Sequence, residues 1–333
     1  MKNTLLAVLA IVSSVIGSGF ISGKEIVVFF TRFGKWSFLG ITLAGILFFV
    51  LVRLLLHFGD RVFRRLKNSR FVFLCSMGIC LTFSSAMFAA ATDILDKNNI
   101  FLFAAGFCAI LCMCAYVCRF GLSSLDKINF VLVPVMLICL LVCLCSRASA
   151  QTGLHAGSYG AMAILYGPMY VAVNIASSCV LIAGLGQKLS KRQKAQAATV
   201  AALVLSAILL FANVVLLQNP QALDKDMPLL SLFTSWQSRL MNLVVFFGCI
   251  STLFSLVFAS SVTMRGLYRS EMLIFSVSVL LPVVISLLGF GFIVTYLYPL
   301  CSILGVSLLL FMLLPERRYP LRQHGRFFQR KKF

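Results

Sequence analysis

The stretch Ser13-Ser14-Val15-Ile16-Gly17-Ser18-Gly19-Phe20-Ile21-Ser22-Gly23 decides how this chain folds. It interrupts an apolar segment over residues 4–32. As one continuous helix that segment would be about 43 Å long, against a bilayer hydrocarbon core of about 30 Å. It must tilt, overhang or unwind. Gly17, Gly19 and Gly23 sit close together, and each weakens a helix by about 1 kcal/mol relative to alanine. The expectation is a break at membrane depth, where glycine also lets the main chain approach a ligand closely.

Working outward, further apolar segments fall at 38–58, 71–92, 100–118, 128–146, 159–186, 195–217, 240–262, 272–288 and 291–314. Of 333 residues, 61% are hydrophobic and 11% charged. A soluble domain has about 45–50% apolar and about 25% charged residues. This excess excludes a soluble enzyme, a secreted disulfide scaffold and a disordered chain. The fold class expected is an all-α polytopic membrane protein with about ten transmembrane helices. Residues 1–314 form one transmembrane domain, and 315–333 a basic tail.

The net charge of +20 would point to nucleic acid in a soluble protein. Here the basic residues lie in short runs between apolar segments, where they set membrane orientation, and no nucleic-acid partner is expected. Placing the tail in the cytoplasm puts 22 of the 29 basic residues inside; Lys24, Arg32, Lys35, Lys97, Arg147, Lys225 and Arg239 fall outside. This bias predicts ten spans in a bacterial cytoplasmic membrane with both termini inside. The longest outer loop is then about 218–239. Lys2 and Leu5–Val12 also resemble a signal peptide. No Ala-x-Ala site follows and apolar character resumes at Ile26–Phe30, so the segment reads as a retained first span. The twelve cysteines lie within apolar stretches; Cys108, Cys112, Cys114 and Cys118 share one span. They read as small buried hydrophobes rather than metal ligands.

The sixth segment, 159–186, is also too long for the membrane and contains Gly160, Gly167-Pro168, Tyr170 and Asn174. Proline removes an amide donor and clashes with the preceding turn, so this span too is expected to be discontinuous. Breaks in spans one and six of ten have a specific meaning. Five spans per repeat is an odd number, so the second repeat (159–314) would enter the membrane inverted relative to the first (4–146). Interrupted helices at matching positions of inverted halves point to a midplane transport site. The alternative is that the glycines serve close helix contact.

Ile16-Gly17-Ser18-Gly19-Phe20 followed by Gly23-Lys24-Glu25-Ile26 resembles the first-span motif of the amino acid–polyamine–organocation superfamily. The run through Phe29-Phe30 and Phe33-Gly34 is more specifically similar to its YkvI-like membrane proteins. Tyr166-Gly167-Pro168-Met169-Tyr170-Val171-Ala172-Val173-Asn174 resembles that branch's sixth span. The resemblance implies a LeuT-like 5+5 inverted-repeat fold. It also implies that Ser251 and Thr252 complete a sodium site with first-span carbonyls. Proton-coupled relatives place a lysine within the fifth span; Lys127 lies only at its cytoplasmic edge.

The residues themselves suggest roles. Amides around Gly17, Ser18 and Gly19 suit an anionic group at a helix start, and Phe20 covers an apolar part of a solute. Carbonyls near Ser13 and Ile16 suit a cation, with hydroxyls from Ser251, Thr252 and Ser255. Such hydroxyls also commonly bond their own helix. Lys24 and Glu25 are charges flanked by apolar sequence, read either as an outer gate or proton-coupling pair, or as solvated interfacial residues. Tyr170 and Asn174 share a helical face, as substrate ligands or as contacts between helices.

Enzyme chemistry is not expected: no HExxH, Gly-Lys-Ser phosphate loop or paired membrane aspartates occur. No cofactor is implied beyond sodium or a proton as coupling ion, and the expected partners are a small-molecule solute and the bilayer. The reading is an ion-coupled secondary transporter of a small organic solute, an amino acid or related amine, working by alternating access. The other reading is a ligand-sensing receptor with the same fold and no net transport.

Overall fold

The first apolar segment folds as three short helices rather than one rod: α1 (Lys2–Val15), α2 (Ser18–Ile21) and α3 (Lys24–Phe29). At the first interruption the chain tightens, and the Gly17 amide donates to the Val15 carbonyl at 3.0 Å. At the second, Gly23 sits at φ 84°, a left-handed conformation that glycine adopts without steric cost. A 3₁₀ turn, Thr31–Trp36, then leads into the next helix. The break expected from the glycine cluster is present.

The chain continues as α4 (Ser37–His57), α5 (Gly59–Asn68), α6 (Arg70–Ile94), α7 (Ile100–Phe120), α8 (Leu122–Arg147), α9 (Met162–Gln187), α10 (Lys191–Leu217) and α11 (Ser235–Arg265). The ninth segment comprises α12 (Glu271–Phe275), a π-helical stretch Ser276–Leu280 and α13 (Leu281–Ser286). The tenth comprises α14 (Phe290–Phe292), a π-helical stretch Ile293–Leu297 and α15 (Tyr298–Leu313). This computed structural model describes residues 2–95, 99–120, 122–147, 160 and 162–313, without the side chains of 2, 18 and 122–129. The tail 315–333 and the Lys127 side chain lie outside the described residues.

Among the described residues there is no strand, and eight helices are long and apolar enough to cross a membrane. Two further apolar helices, Asn3–Val15 and Glu271–Ser286, are shorter. All ten apolar segments therefore contain helix, but the first and ninth are not full crossing helices in themselves. Residues 59–68, read from sequence as part of a basic loop, form a helix. Val62 and Leu66 are buried on one face of it, an i,i+4 spacing that gives the helix an apolar stripe.

The sixth segment corrects an expectation. Helix α9 runs unbroken from Met162 to Gln187 with Pro168 inside it. Pro168 stands in the second turn, so it forfeits a single main-chain hydrogen bond, to the Ile164 carbonyl. The neighbouring glycine has another task. A β-carbon on Gly167 would lie 2.6 Å from the Gly40 carbonyl oxygen of α4. Further along the same contact, a β-carbon on Gly186 would strike the Leu56 carbonyl, and one on Gly59 the Ala183 carbonyl. Gly40, Gly167 and Gly186 bring α4 and α9 together backbone to backbone, as small residues do between membrane helices, and Gly59 does the same for the start of α5 against α9.

Helices α9 and α11 are buried along most of their length, whereas α7 is mostly exposed. Helix α1 packs on α8, α9, α10 and α11; α4 packs on α9 and α10. Helix α6 packs on α11, α13 and α15, α8 on α11, α9 on α15, and α7 on α11. Apolar side chains such as Leu74, Phe101, Leu203, Leu287 and Leu310 cover the outside. So much apolar exterior belongs against lipid. The chain is a multi-pass helical membrane protein.

Gly167→Ala should lower the melting temperature of the detergent-purified protein, with an overpacking cost of about 1–3 kcal/mol, because the atom it meets is fixed backbone. Gly78→Ala, where a β-carbon meets nothing within 4 Å, should leave it unchanged or raise it. Equal effects of the two would count against the α4–α9 contact.

Candidate functional site

A broken helix in an apolar interior exposes main-chain groups that must find partners within the protein. Around the first break the partners come from α9 and α11. The Thr252 hydroxyl donates to the Ser13 carbonyl at 2.7 Å and lies 3.3 Å from the Ile16 carbonyl. The Ser178 hydroxyl donates to the Ser14 carbonyl at 3.2 Å. Ser13, Ile16, Ser178 and Thr252 are all buried. Of the three α11 hydroxyls expected there, only that of Thr252 reaches the first span. Ser251 donates to Gly248 at 3.2 Å and Ser255 to Ser251 at 3.1 Å, both within their own helix. Ser13 likewise donates to Ala10 at 3.0 Å.

Gly17 lies in the same contact. A β-carbon there would meet Met87 at 3.1 Å and Thr252 at 3.2 Å. The Ser18 side chain is outside the described residues. A β-carbon at Gly19 would collide with the carboxyl group of Glu25. The chain's own acid therefore lies against the turn where the sequence suggests a solute anion. Phe20 is buried, and its carbonyl accepts from the Gly23 amide at 3.0 Å.

Lys24 and Glu25 point apart, as neighbours on a helix must. The Lys24 ammonium donates to the Lys225 carbonyl in the 218–239 loop at 3.0 Å. Glu25 turns inward and is 2% exposed, and its Oε2 has no hydrogen-bond partner. A straight helix through residue 25 would have carried this acid to the interface; the two interruptions turn it into the protein. The second interruption is roofed by the same loop. The Leu229 amide donates to the Ser22 carbonyl at 2.8 Å, and a β-carbon on Gly23 would lie 2.8 Å from the Leu229 side chain.

Tyr170 is fully buried, with its ring 5.5 Å from Phe29, 5.1 Å from Phe30 and 6.0 Å from Phe48. Its hydroxyl has no partner. Asn174, one turn on, is buried but donates to the Tyr170 carbonyl of its own helix at 3.0 Å. Its amide nitrogen serves α9.

Sequence reading missed Tyr298. It begins α15, is fully buried, stacks on Phe83 at 4.1 Å and also leaves its hydroxyl without a partner. The available signal was a phenol inside an otherwise apolar span. The π-helical stretch directly before it was not legible, although such turns recur at functional sites.

No family model matches the chain. Over 92% of its length the chain is similar to the uncharacterized membrane protein YkvI of Bacillus subtilis (strain 168). The identity is 22% and the match covers 95% of that protein. The likeness extends beyond the two short stretches that first suggested it, and supports a membrane protein.

Thr252→Val keeps shape but removes the donor to the Ser13 carbonyl. It should destabilise the protein by about 1–3 kcal/mol, the cost of a buried unpaired group. Ser255→Ala should have a smaller effect on the same thermal unfolding measurement. A neutral Thr252→Val would show that the first-span carbonyls find another partner.

Proposed function

We propose that this chain is an ion-coupled secondary transporter of a small organic solute, an amino acid or related amine, working by alternating access. The observation that carries the reading is the doubly interrupted first span at the centre of the bundle. Irregular main chain at such depth is tolerated only where protein or a cavity surrounds it, and in transporters it forms the substrate and ion sites.

The helix contacts support a LeuT-like 5+5 arrangement. Exchanging each span for the one five positions away turns several contacts into contacts. α1 on α10 becomes α9 on α4, and α1 on α8 becomes α9 on α15. α11 on α8 becomes α6 on α15, and α7 on α11 becomes α13 on α6. The two halves differ in their opening span, which is broken into α1, α2 and α3 in the first half and is the continuous α9 in the second. On this reading the chain belongs with the amino acid–polyamine–organocation transporters, with both termini on the cytoplasmic side of a bacterial membrane.

Two groups fit a coupling ion. The Ser13 and Ile16 carbonyls share the Thr252 hydroxyl, and this trio of oxygens suits sodium once the hydroxyl turns a lone pair toward the ion. Glu25 is the buried acid suited to carrying a proton. Lys24 and the 218–239 loop form the outer gate over Gly23.

The test is uptake by proteoliposomes of radiolabelled amino acids and amines under imposed sodium and proton gradients. Concentrative uptake should appear under one gradient and collapse with it. Gly19→Val, which drives a side chain into the Glu25 carboxyl, should abolish it. Saturable binding with no flux under any gradient would replace transport by the sensor reading.

A further inference from the structure

Three buried polar heads inside the apolar bundle leave hydrogen-bonding capacity unused. Glu25 Oε2 and the hydroxyls of Tyr170 and Tyr298 each lack a partner, and all three residues are buried. The carboxyl acts electrostatically on both phenols, and the phenols on one another. Helix α3 brings Glu25 onto α9 and onto the π-helical stretch Ile293–Leu297 that precedes Tyr298. Among the described residues no basic side chain pairs with Glu25; the head of its neighbour Lys24 is engaged by Lys225.

The chemistry offered here is one-sided. A buried carboxylate without a partner is costly, and the helices packed on α3 carry buried phenols, the Tyr170 ring standing 5.5 Å from Phe29 of α3. Each of these favours a positively charged nitrogen donor. A solute carboxylate is poorly served, because the Glu25 carboxyl itself lies against Gly19. An independent feature agrees. Asp93 and Asp226 line a cavity of about 530 Å³ together with Thr295 and Tyr296, in the segment that leads to Tyr298. Among the described lining residues Asp93 and Asp226 are the charged ones, and carboxylates at a cleft attract cations.

We infer that Glu25, Tyr170 and Tyr298 form an ammonium-binding site, and that the solute is a primary amine without a carboxylate. The inference rests on the transport reading only for the identity of the ligand as solute, and binding tests it without flux.

The experiment is calorimetric binding to the full-length purified protein of shape-matched probes that differ in charge. These are phenethylamine, L-phenylalanine and 3-phenylpropionate, then butylamine, L-norvaline and valerate, with sodium chloride alone as a further arm. In at least one set the amine should bind about tenfold or more tighter than its zwitterion and its anion, a margin of about 1.4 kcal/mol. Glu25→Gln should remove amine binding. Tyr298→Phe, which keeps the stacked ring, should weaken it severalfold and stands in for Glu25→Gln if that variant does not fold.

Several outcomes overturn the inference: tighter zwitterion or anion binding, no binding of any amine, or amine affinity unchanged in folded Glu25→Gln or Tyr298→Phe. Glu25-dependent binding of sodium with none of amines does so as well. Amine binding without proteoliposome uptake would remove the transport reading and leave this one standing. Uptake of anionic solutes without amine binding would do the reverse.

Discussion

Main-chain hydrogen bonding in an apolar interior is the constraint on which this structure depends. Breaking the first helix between Val15 and Ser18 frees carbonyls that lipid cannot satisfy, and each must be met by protein. Thr252 and Ser178 meet those of Ser13 and Ser14, and the Leu229 amide meets that of Ser22. The break therefore fixes the rotation of α9 and α11 about their axes and draws the 218–239 loop down over Gly23. It also turns Glu25 away from the interface and into the bundle.

A second set of glycines does the opposite work. Gly40, Gly167 and Gly186 let α4 and α9 touch through their backbones, which makes that pair a close-fitted unit beside the interrupted span. Rigid frame and broken element are thus built from the same residue type. What separates them is whether the missing side chain is replaced by a neighbouring backbone or by a freed turn. The same distinction explains why Pro168 leaves α9 intact: it falls early in the helix, and the contact with α4 holds the turn around it.

The broken first span was legible because three glycines crowd an apolar run too long for the membrane. The unbroken sixth was not, since Gly167 and Pro168 read alike whether they open a helix or seat it against another. Ser251, Thr252 and Ser255 were legible as hydroxyls on one span. Which of them faces α1 depends on how α11 is rotated, and only Thr252 does. Glu25 stood out as an acid in apolar sequence, but its depth followed from turns at Gly17 and Gly23 that a straight helix does not have. Tyr298 passed unnoticed because a phenol in an apolar span has meaning only beside Glu25 and Tyr170.

Composition and hydropathy alone determine that this chain is a polytopic helical membrane protein and where its first helix must fail. Both follow from lengths and local propensities that act within a few residues along the chain. Tertiary structure decides that the sixth helix stays whole, that one hydroxyl of three reaches the break, and that a glutamate and two tyrosines from distant spans are buried without partners. Those are matters of helix rotation and close approach, set by contacts between residues far apart in sequence, which no local pattern encodes.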